Sequence, residues 1–404
     1  MQKPLKEQKM VVMILLSNIF IVFLGVGLII PVMPSFMHLM HLSGSTMGYL
    51  VAAFALAQLI ISPFAGRWVD TFGRKKMIVI GLVIFGISEL IFGLGTHVFH
   101  LYFSRILGGV AGAFIMPAVT AYIADITTIQ ERSKAMGYLS AAISTGFIIG
   151  PGAGGFIAEF GIRTPFYVAG ILGFVVALSS LFILKEPVSR TQGSIDSVPK
   201  EPESTFMQDL KKSVQPVYLI AFIIVFVLAF GLSAYETVFS LFSDQKFGFT
   251  PRDIATIVTL SSIVAVIFQI LLFGKVVNAI GEKKMIQLCL IVGAVLAFVS
   301  TMISGFFVVL LVTTFIFLAF DLLRPTLTTY LSKTAGEQQG FVAGMNSTYN
   351  SLGTIFGPAL SGILFDSNIH YPYIISGVVI LVGLGLTVFW KAERGGQTLN
   401  ALKH

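Results

Sequence analysis

Charged residues are scarce in this sequence: Asp, Glu, Lys and Arg make up 11% of its 404 residues, whereas 55% are hydrophobic. Soluble domains commonly carry about a quarter charged residues. The mean hydropathy of +0.90 leaves more apolar surface than a chain of this length can hide from water, and a bilayer can accept it. The composition therefore predicts an integral membrane protein.

Cysteine is almost absent. The single Cys289 excludes a disulfide within the chain and a cysteine-based metal site. The pairs His38/His41 and His97/His100 lack a third ligand nearby, so no metal site is predicted. The sequence also lacks a phosphate-binding loop with its lysine and any Ser-His-Asp arrangement. It therefore predicts a protein that is not an enzyme, uses no cofactor and does not run on ATP.

Long apolar runs are what the sequence has in abundance. Runs of about 20 residues, enough to cross a bilayer, are bounded by charged or turn residues. They predict an all-α integral membrane protein with twelve transmembrane helices. The predicted helices are 10–33, 48–68, 77–96, 100–124, 135–160, 164–184, 214–241, 253–276, 285–304, 306–331, 341–365 and 371–390.

The distribution of positive charge explains the net charge of +7. With the N-terminus placed in the cytoplasm, 21 of the 26 Lys and Arg residues fall in cytoplasmic segments, and three fall outside: Arg163, Lys246 and Arg252. This asymmetry follows the positive-inside rule. It predicts a multi-pass membrane protein with an even number of helices, both termini in the cytoplasm and no nucleic-acid partner.

The two halves of the chain repeat each other at a separation of 207 or 208 residues. The matching stretches are 66–76 with 274–284, 116–125 with 324–333, and Gly150-Pro151 with Gly357-Pro358. Duplicated halves predict two pseudo-symmetric six-helix bundles that face each other across a central cavity. The predicted units are 1–184 and 214–404, joined by a polar cytoplasmic linker at 185–213.

Glycine and proline interrupt two predicted helices at matching positions. Residues spaced by four share one helix face and, without side chains, admit a neighbouring helix closely, while proline bends the helix. In the second copy, Gly362 comes one residue later than expected. We expect these helices to meet at the junction of the halves and slide there; plain packing is the alternative. The gating residues predicted here are Gly146, Gly150, Pro151, Gly154, Gly357 and Pro358.

Three stretches resemble signatures of the major facilitator superfamily, in particular its twelve-span drug:proton antiporters. GRWVDTFGRKK at 66–76 resembles the loop between helices two and three, GFIIGPGAGG at 146–155 the fifth-helix signature, and LGVGLIIPVMP at 24–34 the first-helix signature. The resemblance implies that Asp70 and Arg74 belong to a gate in which Asp70 faces a helix of the other half. Thr71 stands where the loop signature usually has a base.

Few ionisable residues lie within the predicted spans, and each is a functional candidate because charge in a bilayer is costly. Glu236 and Asp321 are predicted to carry the coupling protons, since an apolar cavity favours the protonated carboxyl. Arg324 lies three residues after Asp321 and is expected to hold it partly charged, so Glu236 is the freer proton carrier. A purely structural Asp321–Arg324 ion pair is the alternative.

Arg105 resembles the fourth-helix arginine of the superfamily, which implies a role in proton coupling. A structural hydrogen bond between helices is an equal alternative. Glu89, in the third predicted helix, is expected to be peripheral.

The resemblance, together with position in the spans, implies a set of aromatic and polar side chains that contact cargo in the cavity. Aromatic faces suit flat cations through stacking and cation–π contacts. For any single Phe, lipid contact or core packing is the commoner explanation. The predicted residues are Phe23, Gln58, Tyr138, Ser144, Phe147, Ser233, Phe317 and Asn346.

The resemblance implies a proton-coupled multidrug efflux antiporter of a bacterial cytoplasmic membrane. Its expected partners are protons, the lipid bilayer, and amphipathic cationic or zwitterionic drugs such as fluoroquinolones, ethidium and quaternary ammonium compounds. It is expected to act as a monomer, driven by the proton gradient. The alternatives are an exporter of a specific metabolite or lipid with incidental drug transport, and a ligand sensor of the same fold without transport.

Overall fold

The computed structural model describes residues 8–187, 206–335 and 338–389, and this part of the chain is helical, without strands. The described helices, in chain order, are α1 (Lys9–Ile29), α2 (Met33–Leu39), α3 (Gly44–Phe72), α4 (Arg74–Leu94), α5 (Val98–Ile126), α6 (Ile129–Ile157), α7 (Thr164–Ile183), α8 (Phe206–Ser213), α9 (Pro216–Phe247), α10 (Pro251–Leu271), α11 (Phe273–Ile280), α12 (Glu282–Ser300), α13 (Phe306–Ala335), α14 (Gln339–Ser367) and α15 (Tyr371–Phe389).

Twelve long helical segments occupy the predicted spans. Eleven of them are long and apolar enough to cross a membrane. The twelfth, α14, has 29 residues but begins with a run of Gly, Asn, Ser and Thr, which lowers its hydropathy. It is packed between α3 and α9, where polar side chains are sheltered from lipid.

Local sequence explains where the helices begin and end. Ser43 and Thr128 accept hydrogen bonds from the first turns of α3 and α6. Gly73 and its repeat partner Gly281 have φ of 102° and 83°, values that favour glycine, and each ends one helix immediately before the next. The eighth predicted helix was wrong at its end, because α10 ends at Leu271 and the short α11 follows.

Part of the predicted linker, 188–205, lies outside the described residues, as do the termini 1–7 and 390–404. The last described part of that linker, Phe206–Ser213, is the helix α8.

The helices form two groups of six with equivalent neighbours. In the first group, α1 packs on α6 and α7, α5 on α3 and α4, and α4 on α7. In the second group, α9 packs on α14 and α15, α13 on α10 and α12, and α12 on α15. The two groups meet along two equivalent seams, α3 with α14 and α6 with α10. The packing therefore follows the sequence repeat.

The seams are shut at one end of the molecule, which we call the closed end and define by Gly44, Glu159, Arg252 and Asp366. There Asp366 bonds to the start of α3, and Arg252 lies 3.6 Å from Glu159 across the other seam. His38 of α2 also lies 2.7 Å from Asp244 of α9.

At the opposite end, which we call the open end, ion pairs lie within one half. Lys333 is 2.5 Å from Glu282, and Arg74 is 2.8 Å from Asp125. A methyl group added at Gly66 of α3 or Gly344 of α14 would meet no other residue within 4 Å. The two halves are therefore apart at this end and joined at the other.

Candidate functional site

Glu236 lies on α9, the most enclosed of the membrane-spanning candidates, whose apolar part is 78% buried. Between residues 230 and 242, Glu236 alone is exposed, and Ser233, one turn earlier on the same face, is half-buried. A helix so enclosed has little surface facing lipid. The carboxylate of Glu236 therefore faces a solvent-accessible space inside the protein.

Two charged residues of α13 act electrostatically on Glu236. They are Arg324, which is exposed, and Asp321, which is half-buried. The structure forms no ion pair between Asp321 and Arg324 in this conformation, although the spacing on α13 led us to expect partial pairing. An exposed arginine retains its water, which weakens the drive to pair with a neighbouring carboxylate. Two acids and one base thus lie near one another in the second half, in an arrangement that can hold a proton or an organic cation.

Arg105 lies in the first half, on α5, and forms an ion pair with Glu89 of α4. Its Nη2 is 3.4 Å from Oε2 and 3.5 Å from Oε1 of Glu89. The guanidinium carbon lies 4.3 Å from the centroid of the Phe92 ring. The expectation that Glu89 is peripheral was wrong: the residue is 2% exposed and holds the charge of Arg105 between two helices. The sequence signal was present, since an arginine buried in a span needs a nearby acid.

We expect Glu89→Gln to destabilise the protein, because it leaves the charge of Arg105 buried without its partner. Breaking a buried pair from one side costs about 3 kcal/mol or more. Arg105→Gln should have a similar effect, and the double variant should lose less than the sum of the two single losses. Thermal unfolding of the purified protein in detergent measures this. If the Glu89→Gln protein has the same melting temperature as the wild type, the pair does not stabilise the protein.

The predicted gating glycines of α6 pack inside their own half. A methyl group at Gly150 would lie 2.8 Å from the Cα atom of Gly27 in α1, and one at Gly146 would lie 2.9 Å from the carbonyl oxygen of Phe20. Gly154 abuts the backbone of Leu28 in the same way. Helices α6 and α14 do meet the other half, at α10 and α3 as expected, but the face of Gly146, Gly150 and Gly154 is the close-packed contact between α6 and α1, which agrees with the alternative of plain packing.

Two other glycines of the same helices lie between the halves. A methyl group at Gly155 would lie 2.5 Å from Cβ of Ala255 in α10, and one at Gly362 would lie 2.5 Å from the carbonyl oxygen of Gly44 in α3. Gly155 and Gly362 are 207 residues apart. Gly362 is thus not a displaced copy of Gly154 but the repeat partner of Gly155.

The second copy also has an inner face that packs within its own half. A methyl group at Gly357 would lie 2.6 Å from the carbonyl oxygen of Phe230 in α9. Pro358, next to it, turns its carbonyl toward Gly48 of α3. In the first copy, the ring of Pro151 lies against Gly27 of α1.

Asp70 and Arg74 belong to a polar network at the open end. Arg74 reaches Asp70 at 2.8 Å and Asp125 at 2.8 Å, and it donates to the carbonyl of Val69 at 3.1 Å. Asp70 is exposed and pairs within its own half. The expected contact with a helix of the other half is not formed here, because the halves are apart at this end.

Glu186 is a member of this network that the sequence analysis missed. Its carboxylate accepts hydrogen bonds from the backbone N–H groups of Arg74 and Lys75, which open α4. A carboxylate at a helix N-terminus satisfies donors that have no partner within the helix. The signal was the unusual start of α4, where Gly73 provides no capping side chain.

Comparison with known proteins identifies the fold and the family. The model of the Major Facilitator Superfamily matches residues 15–249 and 221–404. Multidrug resistance protein 2 of Bacillus subtilis is 73% identical over 395 residues, which cover 98% of each chain. The chain belongs to the major facilitator superfamily. It is a multi-span membrane transporter, with relatives in bacteria.

Further relatives and solved structures agree with this assignment. The quinolone resistance protein NorA of Staphylococcus aureus is 40% identical, over 95% of this chain and 97% of that one. A bacterial homologue of the lysosomal transporter Spinster, in an inward-facing and occupied conformation, superposes with a TM-score of 0.80 at 14% identity, covering 97% of this chain and 100% of that one. The nucleoside transporter NupG gives 0.79 at 15% identity, covering 94% and 99%.

The predicted resemblance and the predicted superfamily fold are confirmed, and the described part of the chain has twelve long helices in two pseudo-symmetric sets of six. The solved structures are so distant in sequence that they show the fold alone. The roles of individual side chains rest on the geometry of this chain.

The side chains predicted to contact cargo fall into several groups in this superfamily member. Phe23 of α1 and Phe147 of α6 lie together, with ring centroids 5.0 Å apart. Ser144 and Asn346 are half-buried on α6 and α14. Gln58 of α3 is half-buried against the glycines of α5. These positions, with Ser233 beside Glu236, leave polar and aromatic groups accessible on both halves.

Tyr138 and Phe317 are placed differently. Tyr138 is exposed, and the ammonium group of Lys134 lies 5.9 Å from the centroid of its ring. Phe317 is only 9% exposed, with its ring 6.2 Å from that of Tyr235 in the core of the second half. Phe317 therefore packs in this core, and the expectation that it faces the cavity was wrong.

Proposed function

We propose that this transporter is a proton-coupled multidrug efflux antiporter that exports amphipathic cationic or zwitterionic compounds. The observation that carries the proposal is Glu236, the lone exposed residue in an otherwise buried stretch of α9, under the charge of Asp321 and Arg324. A carboxyl there can hold a proton or a cation, but not both. The names of the multidrug and quinolone resistance relatives support drugs as the cargo.

The open end is proposed to face the cytoplasm. Most Lys and Arg residues of the sequence fall at that side under the positive-inside rule, with both termini there. The structure then represents an inward-facing state, in which cargo reaches Glu236 from the cytoplasm as a proton leaves. Closing of the open end and opening of the closed end would deliver the cargo outside, where a new proton displaces it.

Cargo recognition is proposed to be aromatic and electrostatic. The adjacent rings of Phe23 and Phe147 present a π surface for a flat cation, and Glu236 provides the counter-charge from the opposite half. Few directional hydrogen bonds are needed in such a site, which suits chemically diverse cargo such as ethidium, quaternary ammonium ions and fluoroquinolones. Each half contributes one part of the site, so a monomer suffices.

The experiment that tests the proposal is ethidium movement in inverted membrane vesicles carrying a proton gradient, acid inside. We expect ethidium to accumulate in the lumen, and an uncoupler to release it. Vesicles without the protein are the control.

Two outcomes would favour the alternatives. Ethidium binding without gradient-driven movement would indicate a sensor of the same fold. Poor ethidium movement, together with gradient-driven movement of a cellular metabolite or lipid, would indicate a dedicated exporter.

A further inference from the structure

Asp366, in the last turn of α14, is bonded to the first turn of a helix in the other half. Its Oδ1 accepts from the N–H of Gly44 at 2.6 Å, and its Oδ2 accepts from the N–H of Ser45 at 2.9 Å. The hydroxyl of Ser45 donates to the same Oδ2. These three hydrogen bonds cross the α3–α14 seam at the closed end.

The first turn of α3 needs such a partner. The opening N–H groups of a helix have no acceptor within it, and the helix dipole favours a negative charge there. Ser43, the N-cap residue, accepts from the N–H of Thr46 at 3.2 Å. For the N–H groups of Gly44 and Ser45, the acceptor is the carboxylate of Asp366 instead. When the two helices separate at this seam, these N–H groups and the carboxylate must form hydrogen bonds with water instead.

Backbone packing brings the carboxylate to this position. A methyl group at Gly44 would lie 2.8 Å from the Phe365 ring and 2.9 Å from Oδ1 of Asp366. Gly362 approaches Gly44 and Gly48 with similar closeness. The three glycines let α3 and α14 touch, so Asp366 meets the helix start directly.

The internal repeat provides a built-in comparison at the second seam. Glu159 lies 207 residues before Asp366, and Arg252 lies 207 residues after Ser45. Glu159 reaches α10 only through the side chain of Arg252, at 3.6 Å, and both side chains are at least half exposed. An ion pair as exposed as this one contributes little in water.

The start of α10 explains the difference between the seams. Pro251, the first residue of α10, has no N–H group and needs no acceptor, and Thr250 and Asp253 form a capping box in which each side chain accepts from the backbone N–H of the other. Gly44, the first residue of α3, has an N–H group, and its acceptor is Asp366 of the other half. The start of α3 therefore depends on the other half of the protein for an acceptor, whereas the first residue of α10 does not.

We infer that Asp366 is the latch of the closed end: its hydrogen bonds to the start of α3 hold the two halves together there, and they must break before that end opens. The α3–α14 seam is the strong side of this closure, and the α6–α10 seam, with Glu159 and Arg252, is the weak side. The inference concerns the closed end whatever the cargo is, and it does not depend on proton coupling.

The test is a distance measurement between spin labels on the two halves, without substrate. One pair, Phe160→Cys with Met302→Cys, reports on the closed end; both residues are highly exposed. A second pair, Lys76→Cys with Lys284→Cys, reports on the open end. The single native cysteine, Cys289, is buried and is expected to remain unlabelled.

In the Asp366→Asn background we expect the closed-end pair to populate a longer distance, with the ratio of parted to joined molecules rising at least about fivefold, the lower range of conformational coupling. Glu159→Gln, the repeat partner, should leave the distribution close to wild type. Asp366→Glu, which keeps the charge, should restore much of the closure. Ser45→Ala, which removes one donor and leaves both N–H donors, should have an intermediate effect.

An unchanged closed-end distance in a folded Asp366→Asn protein would overturn the latch, and so would an equal effect of Glu159→Gln. If Asp366→Asn fails to fold, Asp366→Glu and Ser45→Ala must still follow the order given above, or the inference is wrong. Because no cargo or gradient enters the measurement, failed ethidium transport would leave this result unaffected.

Discussion

Glu236→Gln is expected to abolish gradient-driven ethidium efflux while leaving expression and thermal stability close to wild type. A monovalent cation about 4 Å from a carboxylate gains about 4 kcal/mol at an effective dielectric constant of 20, so removal of the charge should weaken ethidium binding at least about tenfold. Because glutamine cannot exchange a proton, binding should also lose most of its dependence on pH. The side chain is exposed in the cavity, so no packing is lost.

The measurement is ethidium binding to the purified protein across a pH series, together with efflux in vesicles. Asp321→Asn serves as the comparison and should retain part of the pH dependence, because Arg324 acts on Asp321 as well. The control is Glu159→Gln, an exposed acid at the closed end that lies far from the cavity. Wild-type efflux by Glu236→Gln, or complete loss of pH dependence in Asp321→Asn alone, would contradict the role assigned to Glu236.

Gly362→Leu is expected to give a folded protein that cannot close its closed end and therefore cannot transport. The new side chain would begin 2.5 Å from the carbonyl oxygen of Gly44 and 3.0 Å from the Cα of Gly48. Backbone atoms of a helix cannot turn aside, and overpacking of this kind costs about 1–3 kcal/mol or more. Since the clash lies between the halves, the protein can relieve it by parting them.

Two other substitutions of glycine by leucine provide the comparison. Gly357→Leu clashes with Phe230 inside one half, so it should lower expression or melting temperature instead of trapping a conformation. Gly385→Leu, on α15, meets no other residue within 4 Å and should behave as wild type. Efflux, yield and the closed-end spin-label distance are measured for all three. Normal efflux by Gly362→Leu, or equal behaviour of Gly357→Leu, would contradict the division of the glycines into inner and seam positions.

The general architecture could be predicted from the sequence, because a bilayer allows few solutions. Apolar runs of spanning length, the two-fold repeat and the bias of Lys and Arg each constrain the fold independently, and the twelve predicted helices overlap the observed ones. Glu236 and Asp321 were also selected as candidates from the sequence alone, since an acid within an apolar run is unusual whatever surrounds it.

The sequence could not predict in the same way which face of each helix packs against which neighbouring helix. The spacing of Gly146, Gly150 and Gly154 predicts a smooth helix face but does not indicate which helix covers it; that helix is α1, in the same half. In the sequence, Gly362 lies one residue later than a copy of Gly154 would. Its contact with α3 in the α3–α14 seam shows that it corresponds to Gly155. Hydropathy predicts that Glu89 lies in a membrane-spanning helix. Whether its side chain is buried depends on which face of α4 packs against α5, where Arg105 lies.

The sequence by itself determined that this chain is a membrane protein of two repeated six-helix units with acids in its second half, because hydropathy, charge bias and repeat are properties of residue order. Only the tertiary structure decided which end is shut, that Glu236 is the exposed residue between 230 and 242 of α9, and that Asp366 caps a helix 322 residues away in the chain. Such contacts join residues with no local relation, and their partners exist only once the helices have packed.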